Sequence, residues 1–150
     1  NALFTGLARA AGVPARDLYG VRVATSPNFK SLGKSGDISK AQHCRAEFFD
    51  ARYGWIPVDP ADVRKVVLEE EGKIIPIDHP KVLQARAKLF GYWEMNWVGF
   101  NTANDVQLPP PPEESLNFFM YPCAQTANGK PDSLDPQGFR YQMTSREITG

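Results

Sequence analysis

AQHCRAEFFDARYGWIPVDPAD, residues 41–62, carries the pattern of a β-hairpin. Side chains on a strand alternate between faces, so Cys44, Ala46 and Phe48 share one side and His43, Arg45 and Glu47 the other. On the return run Ile56 and Val58 share a face, with Trp55, Pro57 and Asp59 on the opposite one. Pairing Asp50 with Gly54 around a three-residue turn sets Phe48 opposite Ile56 and Ala46 opposite Val58, which joins the two apolar sets. The same register sets Asp59 opposite Arg45 and diagonal to His43, at a backbone separation of roughly 7–8 Å that a carboxylate and an imidazole can bridge.

This parity separates His43 from its neighbour Cys44. The thiol is expected to point into the core as a small hydrophobe. No second His or thiolate stands at ligand spacing on the His43 face, so no metal and no cofactor are expected. A histidine oriented by an aspartate is the base half of a nucleophilic triad, because the carboxylate fixes the tautomer and stabilises the imidazolium that forms. The residues alone leave a second reading open, a surface histidine with a chance carboxylate neighbour. Neither cysteine supplies the nucleophile: Cys123 follows Tyr121 and Pro122 with no helix start after it.

Outward from the hairpin, 150 residues suffice for one domain with a full core, and residues 1–150 are read as one. Seventeen basic residues balance seventeen acidic ones without blocks of like charge, which argues against nucleic acid or an anionic membrane as partner. No apolar run approaches the roughly 20 residues of a membrane span. Leu3, Phe4, Leu7, Ala8 and Ala11 form an apolar helical stripe, with Asn1 as a possible N-cap and Gly12, Val13 and Pro14 as its stop. Strands are expected over 15–24, 94–101, 116–121 and 139–148, and helices over 62–70 and 80–90, the latter capped by Asp78 or His79. Residues 26–40 read as a loop at a site rim, 109–112 as a stiff proline run between strands, and 128–138 as a turn-rich loop without EF-hand spacing. Helices that precede and interrupt mostly antiparallel strands give an α+β class.

Three stretches resemble the transglutaminase-like superfamily of papain-like cysteine enzymes. LFTGLARAAGVPAR (3–16) resembles the segment that follows the family's nucleophilic cysteine, QHCRAEFF (42–49) its His-x-x-x-Glu strand, and YGWIPVDPAD (53–62) its Gly-Trp-x-x-x-Asp-Pro strand. The match covers residues 3–62 in the family's order; residues 63–150 resemble the tail of bacterial secreted members less diagnostically. The resemblance implies a helix packed on a mostly antiparallel sheet, His43 as catalytic base, Asp59 as its orienter, and a protein or peptide amide as substrate. Trp55, on the His43 face, is a weaker candidate for a cleft wall. The family's cysteine would fall about one helical turn before Asn1, where a helix dipole favours a thiolate. The chain by itself is therefore expected to be inactive, as the later part of a larger bacterial enzyme whose export stays open. The rival reading is a family member that has lost its triad and serves as a binding or structural module. The calcium used by the family's animal enzymes finds no ligand cluster here.

Overall fold

A computed structural model of the chain describes residues 1–109 and 115–148. Helix α1 (Ala2–Ala10) is followed by strand β1 (Ala15–Arg22), a short β2 (Gly36–Asp37), and the hairpin β3 (Gln42–Asp50) and β4 (Gly54–Val58). Helices α2 (Pro60–Glu69) and α3 (Pro80–Lys88) follow, then β5 (Trp97–Asn101), β6 (Asn104–Val106), β7 (Leu116–Phe118) and β8 (Thr144–Ser145). The main sheet has the order β4-β3-β1-β5 and is antiparallel throughout, while β2 pairs with β8 and β6 with β7. The fold is α+β, with α1 packed on β1 and β3, the helix-on-sheet arrangement that the resemblance implies. Among the described residues no helix is long and apolar enough to cross a membrane.

The hairpin has the register its alternation dictates: Asp50 pairs with Gly54, Phe48 with Ile56, and Ala46 with Val58. Gly54 closes the turn at φ 78°, a left-handed value that costs glycine little. The end of α1 also follows from its residues. Gly12 (φ 80°) donates to the Arg9 carbonyl at 3.0 Å and Val13 to that of Ala8 at 2.9 Å, the paired closure of a Schellman motif.

The face that α1 buries differs from the expected stripe. Phe4 packs edge-on against Phe48, Thr5 is buried with its hydroxyl donating to Asp17 at 3.2 Å, and Leu3 and Leu7 stay exposed. Facing the sheet brings the threonine hydroxyl to Asp17, and the same rotation turns the two leucines outward.

Residues 26–40 are tied down rather than forming a free rim. Phe29 and Leu32 join Val66, Val67, Val82 and Leu89 in the core between α2 and α3. The buried Glu70 carboxylate accepts from the Lys30 and Ser31 backbone N–H groups, and Asn96 donates to the Ala24 and Leu32 carbonyls. Helix α2 begins at Pro60 because Asp59 is its N-cap, and His79 caps α3. Of the strand expected over 139–148 only Thr144–Ser145 forms, against β2; Tyr141 instead points its hydroxyl at the Ser39 carbonyl. The expected strands at 94–101 and 116–121 shorten to β5 and β7. Residues 128–138 form turns, in which Asp132 and Asp135 accept backbone N–H groups two or three residues on. Most of the proline run, 110–112, lies outside the described residues.

Candidate functional site

Asp59 follows β4 directly and opens α2, and the Asp-Pro-x-Asp order explains its place. Proline suits the first helical position, and an aspartate before it accepts from the backbone N–H three residues on. Oδ1 of Asp59 takes the Asp62 N–H at 3.1 Å, so its side chain is held by the helix it starts. Oδ2 lies 2.8 Å from Nε2 of His43 and 3.4 Å from Nε of Arg45. Asp59 is fully buried, which alone pushes its carboxyl up. The hydrogen bond and charge of His43, with Asn1 and the Asp62 N–H, outweigh burial and hold it below the usual carboxylate range.

His43 stands three residues beyond the paired part of the hairpin on β3, and its ring is nearly buried. With Nε2 given to Asp59, the ring offers Nδ1 as its basic nitrogen. Its backbone is fixed as well. The indole N–H of Trp97 donates to the His43 carbonyl at 2.8 Å, and the indole lies against Gly20, the ladder partner of His43. A Cβ on Gly20 would come within 2.4 Å of that ring and 2.2 Å of the Val98 carbonyl oxygen, so only glycine admits the tryptophan.

Beneath the imidazole is a buried ionic layer. Arg45 stacks under Trp97 with 4.9 Å from its guanidinium carbon to the ring, and donates to the Glu94 carbonyl at 2.6 Å. Asp62 is paired with Arg22, and its Oδ1 lies 3.4 Å from His43 Nε2. Burial, and then the negative charge of Asp59, push the Asp62 carboxyl up to about 6.

Asn1 brings the head of α1 to the same place. It occupies the N-cap position without capping α1. Its amide N–H groups instead donate to the Cys44 carbonyl at 2.6 Å and to Asp59 Oδ1 at 3.1 Å, while its amide oxygen accepts from Ala61. Cys44 is half-buried beside Asn1 rather than sealed in the core, and burial pushes its thiol up. On that face a cavity of about 580 Å3 opens past Gln42, walled by Tyr121, Phe139 and Tyr141.

Trp55 does not join this cluster. It pairs with Phe49, six residues along β3 from His43 and so roughly 20 Å away at 3.3 Å per residue. The Arg16 guanidinium covers its ring at 4.0 Å. Cys123 lines a separate cavity with Leu116 and Phe118. Sequence reasoning missed Arg22, Asp62 and Trp97. The one available signal was the Asp-Pro-x-Asp spacing, which puts two carboxylates on one helical turn.

The ligand atoms of His43, Asp59 and Asp62 lie within 4.8 Å of one another, close enough to gather round a cation. Arg22 and Arg45 already balance the two carboxylates, however, and a divalent ion would add uncompensated charge to a buried site. The donor set fits an ion-pair network better than a metal centre.

Residues 1–60, which include both His43 and Asp59, match the family model of the transglutaminase-like superfamily. This segment belongs to that superfamily. The chain is also similar to an uncharacterized protein of Haemophilus influenzae. The two are 43% identical over 160 residues, which take in 99% of this chain and 42% of the relative. The chain thus spans less than half the length of that bacterial relative. No solved structure matches it.

Proposed function

We propose that this chain supplies the base and its orienter to a transglutaminase-like cysteine enzyme that acts on amide bonds. The observation that carries this reading is the contact of 2.8 Å between His43 Nε2 and a buried Asp59, made beside Asn1 at the N-cap position of α1. The nucleophilic thiol is assigned to the parent chain ahead of Asn1, where the positive end of the α1 dipole and an imidazolium would both favour a thiolate.

In this scheme His43 Nδ1 takes the proton from the thiol as sulfur bonds to the amide carbon. The same proton then passes to the leaving amine as the carbon–nitrogen bond breaks, and a thioester remains. Water or a second amine, deprotonated by Nδ1, cleaves the thioester and restores the thiol. Asp59 keeps Nε2 protonated and stabilises the imidazolium formed between these steps.

The test uses the full-length parent with a peptide amide and hydroxylamine, which traps a thioester as hydroxamate. His43→Ala should lower hydroxamate release by about a thousandfold or more, and Asp59→Asn by a comparable or smaller factor. Undiminished release by His43→Ala would overturn the assignment. A parent with no thiol ahead of Asn1 that reacts with iodoacetamide faster than Cys44 or Cys123 would favour a non-catalytic module.

A further inference from the structure

His43 Nε2 faces two carboxylates, not one. Asp62 is the third residue of α2, and side chains there lean back toward the helix start, which carries its Oδ1 to 3.4 Å from the ring nitrogen. Its backbone N–H meanwhile holds Asp59. Arg22, on β1 two residues beyond Gly20, pairs with the same Oδ1 of Asp62 that faces the ring. The result is a buried row of alternating charge, Arg22, Asp62, His43, Asp59 and Arg45, with the imidazole at its centre.

We propose that Asp62, held in place by Arg22, is a second positioning residue for His43, sharing with Asp59 the task of orienting the ring and stabilising its protonated form. The inference deepens the catalytic reading above and rests on it for its functional meaning. Its physical content is independent: removing a charge from either end of the row must change how readily His43 takes a proton. The other ionisable groups about the ring are Arg45 and Cys44 on β3, Asp59 before α2, and the amino group of Asn1 at the head of α1. Glu94 reaches the row only through Arg45. The carboxyl of Asp62, pushed up to about 6, titrates close to the range in which an imidazole works, so the two protons are coupled.

The two substitutions predict opposite signs. Asp62→Asn withdraws a negative charge from the imidazolium, so the midpoint of the His43 ring resonances should fall by roughly one pH unit. Arg22→Gln withdraws a positive charge from the same row, so the midpoint should rise. Both are read by NMR titration of the 150-residue chain. His79, the other histidine, caps α3 away from the row and is the internal reference. General loosening of the site would move both variants the same way, toward the solvent value. A midpoint unmoved by either substitution, or moved in one direction by both, would overturn the proposal.

Should a variant not fold, the unaltered chain decides. The Asp62 side-chain carboxyl carbon should show an inflection at the His43 midpoint, and a titration curve without one would overturn the proposal. None of these readouts needs turnover, so a parent protein without acyl transfer would refute the catalytic reading and leave the positioning result standing.

Discussion

Asp59 and His43 meet at 2.8 Å through a carboxylate that is also the N-cap of α2. One side chain therefore ends the hairpin, starts the helix and fixes the imidazole, so damage to the proposed site is also damage to the fold. The two roles can be separated by substitution. Asn keeps a capping oxygen and Ala does not, while both leave Arg45 without its buried counter-charge. Both variants should lose several kcal/mol, roughly 3–5. Asp59→Ala should lie below Asp59→Asn by about 1 kcal/mol, the worth of a cap. Urea unfolding of the chain measures the gap, and equal midpoints would deny the capping role.

Gly20→Ala should destabilise the chain by roughly 1–3 kcal/mol, because the added methyl meets the Val98 carbonyl oxygen and the Trp97 ring. Displacing that indole also releases the His43 carbonyl. Near-ultraviolet circular dichroism should therefore change along with the unfolding midpoint. A variant of full stability with an unaltered aromatic spectrum would contradict the packing described.

Asp62 gives the stability a particular pH dependence. An acid whose pKa is higher in the folded than in the unfolded chain favours folding when protonated. That benefit is complete below 3.8 and is lost as the pH rises through about 6. Asp62→Asn cannot titrate and lacks this dependence. Any deficit it has relative to the unaltered chain should thus shrink from pH 4 to pH 7, by as much as about 3 kcal/mol, because a protonated Asp62 is as neutral as Asn while near pH 7 only the unaltered chain carries the buried charge. The depressed carboxyl of Asp59 acts in the opposite sense but is present in both proteins and largely cancels. Urea unfolding across this range checks it, and a deficit that grows with pH would reverse the sign argued here.

Glu70, the C-cap of α2, holds residues 30 and 31 by accepting from two backbone N–H groups and the Ser31 hydroxyl. Glu70→Ala should cost roughly 1–3 kcal/mol, the penalty for buried donors left unpaired. Hydrogen exchange should then speed up at the Lys30 and Ser31 amides more than in the main sheet. Unchanged protection there would show that Phe29 and Leu32 hold the segment by packing alone.

The hairpin and the α1 stop were legible because their signals are local: a period of two with one turn that aligns the apolar residues, and a glycine where the backbone turns left-handed. The same parity brings His43 and Asp59 within reach of each other. The rest of the site was not legible. Trp97 reaches His43 across 54 positions of sequence, Arg22 reaches Asp62 across 40, and neither pair leaves a periodic trace. The outward turn of Leu3 and Leu7 and the short β8 were hidden for a related reason, since a hydroxyl on Asp17 and a tyrosine on Ser39 decided them. What the sequence determined by itself is which residues share a face, because alternation and turn chemistry act between near neighbours. Which charges lie buried together was decided only by the tertiary structure, because desolvation must be balanced by whatever partners the closed fold brings into contact.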